Sequence, residues 1–223
     1  MAATGTTAPR GTVPPRRADA VRNRERIVAA AGQAFVLYGS DASLDDIARR
    51  AGVGNATLYR HFPDREALAY EVVLAVVERI ADRALAALEE CGPDGGGVDP
   101  FEALRRFVTG AAQERVGALC PLLDADFDSE EPRLLAARRR LEGAVEELFE
   151  RARRAGRLRA DADTGDLLMA VGQLTRPLPG ADCARLERFS GRHLQIYLDG
   201  LRAPAESRLP GRAATLEALR QAD

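Results

Sequence analysis

The chain has 223 residues, 46% of them apolar and 30% charged, and a formal net charge of −2. This balance excludes a disordered polymer, and no window approaches the about eighteen uninterrupted apolar residues of a membrane-spanning helix. Residues 1–66 carry ten Arg against seven acidic residues, net +3, while residues 67–223 carry 22 against 27, net −5. A cation-rich front suited to a polyanion thus precedes an acidic body.

Residues 1–18 are rich in Ala, Thr and Pro and predict a flexible arm, because Pro14 and Pro15 block helix. Arg10, Arg16 and Arg17 make it either a solvated tail or an arm that touches phosphates. The arm lacks the apolar run of a secretory signal, so the expected location is the cytoplasm. Residues 19–38 predict an amphipathic helix with Val21, Ile27, Ala31, Ala34, Phe35 and Tyr38 on one face, closed by Gly39 in a left-handed cap.

The stretch SLDDIARRAGVGNATLYRHFPDR, Ser43 to Arg65, predicts two short helices joined by a tight turn and a hinge into a longer helix. Leu44, Ile47, Ala48, Ala51 and Val53 are apolar at helical and turn spacing, and Leu58 and Phe62 repeat the pattern after the turn. Ser43 with Asp46 three residues later is akin to a capping box, and Gly52 suits the reversal of the backbone. Between the buried positions of the second helix lie Asn55, Ala56, Thr57, Tyr59, Arg60 and His61. These are the small, hydrogen-bonding and cationic side chains of a helix that enters a DNA major groove. The motif is a helix-turn-helix.

Asp64 caps the next helix, whose apolar positions Leu68, Val72, Val76, Ile80 and Ala84 continue for more than six turns until the CGPDGGG break. Further helices are expected after Pro100, after Pro132 up to Gly156, over 163–175 and over 182–201, with a short apolar element at 119–123 and an acidic loop at 124–131. Beyond Pro204 a loose tail is expected, despite a faint helical pattern near Leu216 and Leu219. Nothing alternates like a strand, so the fold class is all-α.

The run IARRAGVGNATLYRHFPDREAL, behind the helix RERIVAAAGQAFVLYG, resembles the tetracycline-repressor (TetR) family of bacterial transcription regulators over roughly residues 20–80. The resemblance implies four parts: an arm at 1–18, a DNA-binding domain at 19–66 with its motif at 43–62, a ligand-binding and dimerisation domain at 67–203, and a tail at 204–223. It further implies a cytoplasmic homodimer, nucleoid-associated when bound to a pseudo-palindromic double-stranded operator, and an unknown small-molecule effector that releases DNA. The expected role is that of a repressor, with an activator or a ligand-independent architectural binder as alternatives. Carried over by position, Asn55 and Ala56 fall where relatives touch bases and Thr57 where base or phosphate is met. Ser43, Tyr59, His61 and Arg65 fall on phosphate-contacting positions, and Arg60 suits either guanine or phosphate. Gly54 departs from a common Ser, which weakens the cap of the second short helix. Asp45 stands where some relatives carry a base-contacting cation, so no direct readout is expected there. Dimerisation is expected through the helices near 163–175 and 182–201.

Other chemistries find no support. No His, Cys, Asp or Glu set has metal-ligand spacing, and the acidic run Asp124 to Glu131 lacks the central Gly and spaced Glu of a calcium loop. GPDGGG follows no strand and is a linker, not a phosphate loop. With two His in all, and no nucleophile set beside a base, neither an enzyme nor a cofactor is expected. Cys91, Cys120 and Cys183 are an odd, widely spaced set that suits reduced thiols. The Leu, Val, Ala and Phe content of the body favours a modest apolar effector.

Overall fold

The structure is a computed structural model that describes residues 15–92, 96–119, 122, 130–176 and 183–220. Its elements are α1 Pro15–Tyr38, α2 Leu44–Ala51, α3 Asn55–His61, α4 Arg65–Cys91, α5 Pro100–Gln113, α6 Val116–Leu119, α7 Pro132–Arg154, α8 Thr164–Leu174, α9 Cys183–Leu201 and α10 Leu216–Arg220. Among the described residues there is no strand, only an isolated bridge between Leu158 and Arg202. No helix of these residues is long and apolar enough to cross a membrane.

Most helix ends follow from local chemistry. Ser43 Oγ accepts from Asp46 N at 3.4 Å, Asp64 accepts from Ala67 N at 2.7 Å, and Asp99 accepts from Phe101 N at 3.1 Å. Each satisfies one amide that a helix N-terminus leaves without a partner. Gly52 ends α2 at φ +64°, and a Cβ there would lie 2.4 Å from the Arg26 guanidinium, whose Nη2 donates to the Gly52 carbonyl at 3.3 Å. Asp163 and Asp166 close a full capping box on α8.

The start of α1 corrects the expectation for the arm. Pro15 is the first residue of the helix, not a block to it, since a proline in the first turn gives up an amide that had no intrahelical acceptor. Residues 1–14, including Arg10 and Pro14, lie outside the described residues, as do Cys120, Pro121, Leu123 and most of the acidic loop. In α1, Ile27, Ala31, Ala34 and Phe35 are buried, but Val21 and Tyr38 at the ends of the predicted stripe are exposed.

One apolar cluster runs from Ile27 and Phe35 of α1 through Ile47, Leu58 and Phe62, along α4, and into α5, α7 and α9. Helix α4 is its spine. Its first turns bury Leu68 and Val72 beneath α1, and its long remainder packs on α5 and α7. The N-terminal unit is also tied to α7 by charge. Glu71 of α4, whose side chain is 12% exposed, accepts from Arg24 of α1 and from Arg133 of α7, both at 2.8 Å. These bonds, that from Arg24 above all, hold the Glu71 carboxyl below its ordinary value against the opposing effect of burial. Alongside, Tyr70 donates to Glu131, which itself caps α7 by accepting from Arg133 N at 2.8 Å. Burial, then the Glu131 carboxylate, pushes the Tyr70 phenol up to about 12.

The segment after Pro204 is not the loose tail expected. Ser207 O accepts from Arg159 Nη2 at 2.7 Å, Leu209 N donates to Asp161 at 2.9 Å, and Ala214 N donates to Asp166 at 3.1 Å. A Cβ on Gly165 would sit 2.2 Å from the Ala214 carbonyl, so the tail lies directly on the start of α8. The tail ends in α10, which buries Leu216 to 6% exposure between α4, α7 and α8.

Two outcomes are expected. Leu216→Ala lowers unfolding free energy by about 2–3 kcal/mol in urea titrations, the ordinary range for an enclosed leucine, whereas a loose tail predicts no change. Glu71→Gln destabilises by about 1–2 kcal/mol at pH 7, between the exposed and buried limits for ion pairs. Because the folded pKa of Glu71 lies below its unfolded value, this contribution is complete above about pH 5. It is lost as pH falls through the depressed value, so the gap between wild type and Glu71→Gln narrows as titrations are taken from pH 6 toward pH 3.5.

Candidate nucleic-acid interface

The helix-turn-helix is built as the spacing of its residues requires. Ile47, Ala48 and Ala51 of α2 and Leu58 of α3 face α1 and are buried, with Leu44 and Val53 partly so. Burying Leu58 forces the rest of this short helix into a fixed orientation. Asn55, Ala56, Tyr59 and Arg60 are exposed on the opposite side, and Tyr59 keeps 49% of its surface open. These four positions recur at one, four and five residues, so they form a single outward face. Thr57 and His61 flank it and are half-buried, and Ser43 is exposed at the start of α2. The surface gathers seven of the eight sequence-predicted residues along α2 and α3.

The eighth, Arg65, stands apart. It opens α4, is half-buried, and has its Nη1 enclosed with no hydrogen-bond acceptor. Its Nη1 meets an external phosphate only if this side chain swings out.

Asn55 is not a free side chain either. Its Nδ2 donates to Asp45 Oδ1 of α2 at 2.7 Å. That bond spans the turn and uses one of the two amide hydrogens, leaving the second hydrogen and the carbonyl oxygen for another partner. Sequence reasoning gave Asp45 no part in readout, yet Asp45 sets how Asn55 is presented. Only the juxtaposition of α2 and α3 reveals this, since the two residues are ten positions apart. At Gly54, the N-cap of α3, no side chain bonds the free amides, as the departure from Ser at this position implies.

The face is supported from below. Phe62 ends α3 fully buried, with the Arg24 guanidinium 5.0 Å from its ring centre and the His61 ring centre 6.4 Å away. Arg24 is the cation that binds Glu71, so the exit of α3 and the start of α4 share one charged side chain. Arg49 pairs with Asp46 at 2.5 Å, while Arg50 lies over the Tyr38 ring and donates to its hydroxyl at 3.4 Å.

The surface offers hydrogen-bonding, methyl and cationic groups on a protruding helix, and no activated nucleophile. Among the described residues no group of three or more His, Cys, Asp or Glu side chains is placed to hold a metal. Cys91 is buried and its thiol is pushed up by burial, which keeps it protonated.

Comparison with known proteins gives matches over both parts of the chain. Residues 27–72 match the model of bacterial regulatory proteins of the TetR family, and residues 99–203 match the C-terminal domain of SbtR-like transcriptional regulators. A TetR transcriptional regulator of Streptomyces coelicolor, known by crystal structure, is 32% identical, with 82% of this chain and 99% of that one covered, at a TM-score of 0.59. A TetR regulatory protein of Mycobacterium vanbaalenii is 33% identical, covering 85% of this chain and 100% of its own, at a TM-score of 0.54. The HTH-type transcriptional repressor LfrR of Mycolicibacterium smegmatis is 39% identical over 88 residues, which are 38% of this chain and 43% of that protein. The chain thus spans less than half the length of this curated relative. TetR regulators are DNA-binding transcription factors and not enzymes. An N-terminal helix-turn-helix with α3 facing outward, an all-helical body behind it and matches over both parts make this chain a member of the TetR family of transcriptional regulators.

Proposed function

We propose that the protein is a ligand-responsive repressor that binds a pseudo-palindromic operator as a homodimer in the cytoplasm, on the nucleoid when bound. The outward face of α3, set opposite buried Leu58, carries the reading. Asn55, with one amide hydrogen on Asp45, keeps the donor and acceptor needed for an adenine edge, and the Ala56 methyl suits thymine. Tyr59, His61, Thr57 and Ser43 lie where they hold the backbone phosphates on either side, Arg60 projects to base or phosphate, and Arg65 joins them on leaving its enclosure. Repression is supported by the similarity over 88 residues to LfrR, a transcriptional repressor.

Dimerisation is supported by apolar side chains that this chain leaves uncovered. Phe189 and Ile196 of α9 are each 57% exposed, on one stripe with His193, and Met169 of α8 is 47% exposed. An apolar face shared by two neighbouring helices suits pairing with its own copy into a four-helix bundle. Two-fold symmetry then spaces the α3 helices for successive major grooves, about 34–36 Å apart. An effector is supported by a cavity of about 220 Å3 in the body, walled mainly by apolar side chains from α4, α7 and α8.

Genome-wide mapping of bound sites, followed by footprinting, tests the reading: a few palindromic promoter sites are expected, and uniform coating overturns it. Asn55→Ala is expected to cost about 1–3 kcal/mol on the operator while leaving random DNA nearly unchanged. Tyr59→Ala should weaken operator and random DNA alike by about tenfold, a phosphate contact carrying no sequence information; equal losses from Asn55→Ala on both DNAs remove its role as a base reader. Phe189→Asp combined with Ile196→Asp is expected to turn a sedimenting dimer into a folded monomer, with operator affinity falling by at least about a hundredfold through the lost second half-site.

A further inference from the structure

Two spaces lie side by side in the body. The inner one, about 220 Å3, is walled by Val73 and Val77 of α4, Leu141 and Val145 of α7, Leu168 of α8 and Leu216 of α10. The outer one is a groove of about 650 Å3 between α1 and α4, bordered by Val28, Gly32 and Val36 of α1 and by Arg50, Arg79 and Arg115. Val76 and Leu119 line both. Those two side chains are the partition. The inner cavity alone falls short of the about 300–1,000 Å3 usual for small-molecule sites, whereas the groove, alone or joined to the cavity, falls within it.

The groove differs from the cavity in charge. Arg79 and Arg83 converge on the single carboxylate of Glu114, at 2.9 Å and 3.2 Å, so two guanidiniums share one negative charge. Arg50 stacks on Tyr38 and bonds its hydroxyl, with no carboxylate within ion-pair distance among the described residues. Arg115, at the turn between α5 and α6 with a left-handed backbone of φ +52°, also borders the groove. A mainly apolar chamber, with Arg138 and Glu142 of α7 also in its lining, lies beside a groove where Arg79 shares one carboxylate with Arg83 and Arg50 has none among the described residues, and the pair matches a ligand with an apolar tail and an anionic head.

We infer that cavity and groove form one site for an amphipathic carboxylate of medium chain length, its tail threaded between Val76 and Leu119 and its head on Arg50 and Arg79. This rests on the reading of the body as an effector domain and gives that effector a chemical class. It also gives the signal a route. The far wall of the groove is α1, on which α2 is packed, and α2 in turn packs on α3, so a head group seated there lies against the helix that supports the helix-turn-helix.

The test uses the full chain with decanoate and 1-decanol, two probes with the same tail, measured by calorimetry below their aggregation limits. Decanoate is expected to bind wild type at least tenfold more tightly than 1-decanol. Arg50→Ala combined with Arg79→Gln, which leaves Arg83 on Glu114, is expected to bring the two within about twofold. Val76→Phe, which fills the partition, is expected to weaken decanoate at least tenfold with the helical spectrum intact. Equal affinities of the two probes for wild type overturn the inference, as does a tenfold preference that survives in the double arginine variant. Operator binding, followed in parallel, separates the two readings. If decanoate binds with the arginine dependence expected and operator affinity stays the same, the site stands and the effector reading falls.

Discussion

A single sheltered carboxylate joins the first helix of this molecule to its body. Glu71 sits one turn inside α4 and accepts from Arg24 of α1 on one side and from Arg133 of α7 on the other. Placed where water has little access, an unpaired Glu71 would be costly, and each arginine relieves that cost by coming to it. The arginines are themselves partly solvated, which keeps their own desolvation small. The result is a joint between the DNA-binding helices and the body that is ionic in a sheltered place and therefore specific in geometry. Arg24 also covers Phe62, the residue at which α3 ends, so the same joint fixes where the reading helix stops.

The consequence for function is that α3 has little freedom of its own. Leu58 and Phe62 are buried against α1 and α4, Asn55 is tied to Asp45, and the chain reverses at Gly52 with a left-handed backbone. A helix held this way presents its outer face at a fixed angle to the unit that carries it. Control over DNA binding is then a matter of moving the unit as a body, and α4 and α1 are the elements that meet both it and the rest of the protein. The proposed ligand groove lies between these two helices. The exposed apolar residues of α8 and α9 are where the proposed partner would hold two such units at a set distance.

The anchored tail shows how a weakly helical sequence gains structure from distant residues. Its five-residue helix α10 is too short to persist alone. The segment leading to it is held by Arg159, Asp161 and Asp166, each about fifty positions upstream of its partner, and Leu216 is buried in the wall of the inner cavity. Caps such as Asp64 and Asp99 were legible because donor and acceptor lie two or three residues apart. The anchors of the tail were not, because nothing in the spacing of residues 204–220 announces a partner at 159–166. Pro15 is hard to read for a different reason: a proline breaks a helix from its interior but fits its first turn, and which applies depends on where the helix begins.

By itself the sequence determined the all-helical class, the helix-turn-helix and the residues on its outer face. Those features rest on periodicity, caps and glycine turns within a few residues of one another, and such interactions are written locally. Tertiary structure alone decided that Asp45 orients Asn55, that Arg65 is partly enclosed, and that Glu71 clamps α1 to α7. It also decided that Val76 and Leu119 divide an apolar chamber from a cationic groove. Each of these depends on the distance between side chains on different helices, which only the packing of those helices sets.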